Sequence, residues 1–121
     1  MRIAIVGAGY VGLVSGACFA DFGHQVTCID KDASKITALR RGKIPIFEPD
    51  LERLVQNNVK NGRLDFDTDL AGPVGEADAV FIAVGTPSRR GDGHADLSYV
   101  YAASREIATA VDGCTVVITK S

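Results

Sequence analysis

The sequence predicts an α/β fold, a doubly wound parallel sheet, from three observations. Apolar, β-branched runs recur at residues 2–6, 25–30, 78–84 and 115–119. Stretches with helical spacing of apolar residues separate them, and glycine-containing turns fall at the joints. Strands that alternate with helices in this way pair in parallel through right-handed crossovers, with helices on both faces.

The first strand, Arg2-Ile3-Ala4-Ile5-Val6, runs straight into Gly7-Ala8-Gly9-Tyr10-Val11-Gly12. In this G-x-G-x-x-G, Gly7 turns the chain sharply off the strand. Gly9 lets a pyrophosphate approach the backbone, and Gly12 lets the following helix pack against the sheet. That helix, about 10–22, is apolar nearly all round and is closed by Gly23-His24. Its N-terminus offers N–H groups and a partial positive charge to phosphates. The second strand, 25–30, ends on Asp30, whose carboxylate suits both hydroxyls of an adenosine ribose and repels a 2′-phosphate. NAD is therefore favoured over NADP, although Lys31 and Lys35 are nearby cations able to accommodate a phosphate. The plain alternative makes Asp30 a strand-end turn residue.

A short helix over 34–41 carries Ile36 and Leu39 and is capped by Gly42. Prolines make residues 43–49 extended. A helix over 50–60 aligns Leu51, Leu54, Val55 and Val59 on one face. Residues 63–66 form a weak third strand at or near an edge. A short helix over 68–75 is interrupted by Gly72-Pro73. The buried strand 78–84 ends at Gly85-Thr86-Pro87, and a polar loop follows over 88–94. Asp96 then caps a helix over 97–111, with Leu97, Val100, Ile107, Ala108 and Val111 facing inward. The last strand is 115–119. The expected strand order is 3-2-1-4-5, a Rossmann-type sheet whose second half is incomplete. Its ligand belongs at the strand ends where the order reverses, between strands one and four. Gly7 to Gly12, Asp30 and Gly85-Thr86-Pro87 converge there from separate strands.

Composition narrows the function. The 121 residues make one domain or part of one, and 46% hydrophobic content supplies a core. A net charge of −2 leaves no electrostatic footprint for nucleic acid. The basic group Lys35, Arg40, Arg41 and Lys43 reads as the solvated end of a helix. Glycines interrupt the apolar run up to Ala20, which argues against an export signal, and the run is short for a membrane span. Cys18, Cys28 and Cys114 lack any C-x-x-C spacing and read as buried small hydrophobes in a reducing, cytoplasmic setting. His24 is a helix-end residue. Asp92, His94 and Asp96 read as polar loop and cap in preference to a metal site, so no metal is expected. Residues 88–95 are candidates for a flap over the site.

Beyond the glycines, the chain shows Asp30 with Lys35, Pro45-Ile46-Phe47-Glu48-Pro49, Val84-Gly85-Thr86-Pro87, Ala95-Asp96-Leu97 and Lys120-Ser121. With these motifs it resembles, from end to end, the N-terminal NAD-binding domain of the UDP-glucose/GDP-mannose dehydrogenase family, and within it the UDP-glucose 6-dehydrogenases. One departure is Asp50, where the family usually has Gly after Glu-Pro. The resemblance implies oxidation of the C6 alcohol of UDP-glucose to the carboxylate of UDP-glucuronate, with two NAD reduced through a cysteine-bound thiohemiacetal and thioester. GDP-mannose or UDP-N-acetylmannosamine is the alternative sugar nucleotide. It also implies that Tyr10 and Val11 lie along the dinucleotide and that Asp30 and Lys35 meet the adenosine ribose. Gly85 and Thr86 would lie near the cofactor's middle and Ser121 on the nicotinamide side. An ordinary surface lysine is the alternative for Lys35.

Family members continue past Lys-Ser into a sixth strand, a long central helix and a C-terminal domain, which carry the catalytic and main substrate-binding residues. Residues 1–121 are thus expected to be the NAD-binding domain of a longer multidomain enzyme, itself inactive and without a catalytic residue. The full-length protein is expected to be a homodimer or higher, with NAD and a UDP-sugar as partners and neither nucleic acid nor membrane. Two rival readings share the glycine loop: a hydroxyacid or hydroxyacyl-CoA dehydrogenase, and a non-catalytic nucleotide-sensing module.

Overall fold

A computed structural model describes residues 1–44, 49–84, 97–111 and 116–119. Five parallel strands lie in the order β3-β2-β1-β4-β5. They are β1 (Arg2–Val6), β2 (Gln25–Ile29), β3 (Leu64–Asp67), β4 (Ala79–Ile82) and β5 (Val116–Thr119). The helices are α1 (Tyr10–Asp21), α2 (Ala33–Arg40), α3 (Pro49–Lys60), α4 (Ala71–Glu76) and α5 (Ser98–Ala110). This is the expected doubly wound sheet and order.

Alternation along the strands builds two cores, one on each face. Ile3 and Ile5 of β1 and Cys28 of β2 join Leu13, Ala17 and Ala20 of α1, Ile36 and Leu39 of α2, and Leu51 and Val55 of α3. Ala4 and Val6, with Ile29, Val80 and Ile82, face the other way toward Val74 of α4 and Ala103 and Ile107 of α5. Every β1 residue after Arg2 is therefore buried. Fully burying each large aliphatic side chain contributes about 1.5–3 kcal/mol.

Helix ends follow local chemistry. Gly23 (φ +105°) closes α1, with its N–H donating to Ala20 O at 2.9 Å and that of His24 to Phe19 O at 3.2 Å. The Asp32 side chain caps α2 by accepting from the N–H groups of Ser34 and Lys35, a cap missing from the sequence reading. Pro49 opens α3 one residue early, where its absent N–H costs nothing. Asp50 falls in that first turn and pairs with Arg53 at 3.0 Å, so the family departure sits at a helix start.

Several expectations need correction. The doubted helix forms as α4, because Pro73 lies in its first turn and displaces no helical hydrogen bond. Arg40 is not merely solvated: its Nε and Nη2 both donate to Phe66 O, at 3.0 and 2.6 Å, tying α2 to β3. In α5, Leu97 and Ala108 are exposed, and Ala103 takes the inward position with Ile107. Val100 and Val111 are partly buried against that core, as expected. Cys18 is exposed, whereas Cys28 is buried as expected. Asn58, which sequence reasoning left unmarked, is fully buried on α3. It donates to Leu54 O at 2.9 Å and to Asp21 Oδ1 at 3.4 Å, and it accepts from Arg63 Nε at 3.4 Å. Arg63 Nε also donates to Ala20 O at 2.9 Å, so one polar knot joins the ends of α1 and α3 to the start of β3. Residues 45–48, the polar loop, the Asp96 cap and Cys114 lie outside the described residues, as do His94 and Asp92.

Candidate functional site

The carboxyl end of β1 is where the sheet order reverses, and the glycine segment is built around it. Gly7 has φ +112°, and its N–H donates to Ile29 O at 2.7 Å, joining the ends of β1 and β2. A Cβ there would stand 2.5 Å from Ala83 O, so both conformation and space require glycine. At Gly12 a Cβ would stand 1.8 Å from Gly7 O. The close packing expected there is thus chiefly against the turn's own carbonyl, with Ile5 Cγ2 next at 3.4 Å. Gly16, one turn further on, would put a Cβ 2.7 Å from Cys28 Sγ, which holds α1 close above the sheet. Burial pushes the Cys28 thiol up to about 12. Gly9 is the contrast. It is the N-cap of α1, and a Cβ there would meet nothing within 4 Å. Its openness is toward a crevice of about 920 Å³, of a size that holds small-molecule ligands.

Asp30 stands one residue beyond β2, its side chain 18% exposed, at the wall of the same crevice. Its Oδ2 accepts the Ala8 N–H at 3.1 Å and Lys35 Nζ at 3.3 Å, and its Oδ1 accepts the Asp32 N–H at 3.0 Å. Burial raises its pKa, but the two backbone donors and Lys35 together outweigh that and leave it below the ordinary carboxylate value. Oδ1, with one donor, keeps acceptor capacity for a hydroxyl, whereas Oδ2 already has two and takes a hydroxyl only by sharing or replacing Lys35. The glycine loop and the acid are thus bonded to each other, not merely neighbours.

Gly7, Gly9, Tyr10, Val11, Asp30 and Lys35 all line this one crevice, while Gly12 lies behind it as a packing position. Gly85, Thr86 and Ser121 lie outside the described residues. Sequence reading missed the opposite wall: Thr68 and Leu70 beyond β3, and Tyr99, Ala102, Ala103 and Glu106 of α5. The small pair Ala102-Ala103 was the available signal, since small residues on a helix beside the switch point leave room for a ligand. Val6, Ile29, Ala83 and Val84 complete an apolar floor. The crevice therefore offers an apolar slot, an open glycine edge at a helix N-terminus, and a carboxylate at one end. That donor set fits a dinucleotide: base in the slot, ribose on the acid, diphosphate on the glycines. Among the described residues, no group of three His, Cys, Asp or Glu side chains is placed to hold a metal ion. No helix among them is long and apolar enough to cross a membrane.

Comparison with known proteins agrees with this geometry. The model of the UDP-glucose/GDP-mannose dehydrogenase family, NAD binding domain, matches residues 1–121. A UDP-glucose 6-dehydrogenase of Rhizobium meliloti is 69% identical over 121 residues, covering 100% of this chain and 28% of that protein. A GDP-mannose 6-dehydrogenase of Pseudomonas aeruginosa is 44% identical over 111 residues, 92% of this chain and 25% of that one. Among solved structures, a ternary complex of GDP-mannose dehydrogenase from Pseudomonas aeruginosa superposes with a TM-score of 0.94 at 41% identity, covering 100% of this chain and 28% of its own. A 3-hydroxyacyl-CoA dehydrogenase from Archaeoglobus fulgidus, at 22% identity and a TM-score of 0.69, shares the fold alone. The chain spans about a quarter of the length of the curated relatives it matches.

Proposed function

Because the chain belongs to the NAD-binding domain of the UDP-glucose/GDP-mannose dehydrogenase family, we propose that residues 1–121 form the N-terminal domain of a longer, multidomain, NAD-dependent UDP-glucose 6-dehydrogenase. The full-length protein oxidises UDP-glucose to UDP-glucuronate with two NAD, acts in the cytoplasm, and assembles as a homodimer or higher. UDP-glucose is preferred over other sugar nucleotides because the 69% identical relative bears that activity, while the GDP-mannose relative stands at 44%.

Bound NAD supplies the hydride acceptor; this chain's residues hold and orient it. Gly7 makes the turn off β1 against Ala83, Gly9 keeps backbone clear beside the diphosphate, and Gly12 lets α1 approach so that its N-terminus points there. Tyr10 and Val11 flank the dinucleotide. Asp30, kept ionised by its backbone donors and Lys35, grips the adenosine ribose hydroxyls. Gly85 and Thr86 act at the cofactor's middle, and Ser121 on its nicotinamide side. On this reading these groups serve the cofactor, and no catalytic residue is assigned among them. The observation that carries the reading is the Ala8–Asp30 hydrogen bond, which joins diphosphate loop and ribose acid in one crevice.

The test is NADH formation by the full-length protein with UDP-glucose, GDP-mannose and UDP-N-acetylmannosamine in turn. Two NADH per UDP-glucose is the expected result. NADH from GDP-mannose alone would move the protein to another branch of the family. NAD binding with no turnover on any sugar nucleotide would favour a sensing module.

A further inference from the structure

The acid-bearing end of the crevice holds two lysines, and each already has a carboxylate. Lys35 Nζ lies 3.3 Å from Asp30 Oδ2. Lys31 Nζ pairs with Glu106 Oε1, which reaches across from α5. All four residues line the crevice. An adenosine 2′-phosphate is recognised by cations with donors to spare, because charge-assisted bonds to phosphate oxygens must replace its hydration. Lys31 directly follows Asp30, and so would be a natural partner for such a phosphate.

Building on the reading that the ribose of NAD sits at Asp30, we propose that Glu106 is a specificity-determining residue. By engaging Lys31 it withdraws the cation a 2′-phosphate would need. Preference for NAD over NADP is then set by two pairs: Asp30 with Lys35 at the end of β2, and Glu106 with Lys31 bridging to α5. Nothing in the glycine fingerprint marks Glu106, which is brought to the ribose corner only by the fold. The Lys31 and Glu106 side chains are 75% and 38% exposed. A surface pair of this kind adds little to folding, so removing it leaves the scaffold intact.

The experiment measures NAD and NADP affinities by calorimetry on the full-length protein, on Glu106→Gln, and on Glu106→Gln combined with Lys31→Met. In Glu106→Gln, NADP should tighten about five- to tenfold relative to NAD, the size expected for one freed charged donor. Adding Lys31→Met should abolish that gain. An unchanged NADP-to-NAD ratio in Glu106→Gln, with NAD still bound, overturns the role of Glu106 alone. A gain that survives loss of Lys31 overturns it too, since the effect would then be a general change of field. Failure of the unaltered protein to bind NAD overturns the cofactor reading, and this proposal with it.

Discussion

Gly9 and Gly12 lie three residues apart in one motif, yet the structure assigns them opposite duties, and alanine at each separates them. At Gly12 a methyl carbon would stand 1.8 Å from the Gly7 carbonyl oxygen, more than 1 Å inside the 3.0 Å below which real contacts essentially never fall. Both partners are backbone, so α1 and the turn must move apart. Overpacking of this kind costs about 1–3 kcal/mol, and the severity here places it at the upper end. Alanine's better helix propensity returns about 1 kcal/mol, leaving a net loss near 2 kcal/mol. At Gly9 the methyl meets nothing within 4 Å. Exchanging glycine for alanine at an N-cap then costs less than about 1 kcal/mol. With the diphosphate seated on this glycine edge, as proposed, the added methyl would take its place, so NAD affinity should fall more than tenfold, about 1.4 kcal/mol. Urea unfolding and NAD calorimetry on both variants read the two quantities separately. Unchanged NAD affinity in Gly9→Ala would refute the placement of the diphosphate. Parent-like stability in Gly12→Ala would refute the packing account.

Asp30→Ala should weaken NAD binding by about 1–3 kcal/mol, the value of hydrogen bonds to a charged acceptor, and calorimetry showing no loss would remove the acid from the site. Because the folded Asp30 pKa is lowered, its stabilisation is fully present above the ordinary carboxylate range near pH 4 and is lost as pH falls through the folded value. Asp30→Asn should therefore flatten the acid limb of stability, and superimposable urea midpoints from pH 5 downward would contradict this. Iodoacetamide at pH 8 should label Cys18 and spare Cys28, whose thiol is buried and pushed up to about 12. Peptide mapping that finds Cys28 modified in the native protein would disprove its burial. Asn58→Ala should destabilise by about 1–3 kcal/mol by breaking the knot with Asp21 and Arg63. An unfolding midpoint matching the parent would show the knot to be inert.

What the sequence could reveal was whatever depends on neighbours along the chain. The strand-glycine-helix entry, the strand order and the place of Asp30 follow from local pattern and from the rules of parallel crossovers. So does the Gly12 packing role, although the surface it meets is the Gly7 carbonyl more than the sheet. Features fixed by distant contacts were hidden. Asn58 is polar on an otherwise apolar helix face, and only the meeting of α1, α3 and β3 explains its burial. On α5, helical spacing marked Ile107 correctly but also suggested Leu97 and Ala108, which are exposed, and passed over Ala103, which is buried with Ile107 and lines the crevice. Pro73 looked like a breaker because its position within a turn could not be read locally. Glu106 and the far wall of the site belong to the same class.

The Ala8 amide resting on the Asp30 carboxylate also constrains descent. A lineage drifting toward a phosphorylated coenzyme cannot simply discard the acid, for its loss takes the acceptor from the part-buried Ala8 amide and leaves the exposed Asp32 amide to water. Asparagine or serine, which can still accept those protons, offers a gentler intermediate than alanine. Change of coenzyme in this scaffold should accordingly proceed through such replacements, or begin from α5, where the opposing charge can vary without loosening the loop.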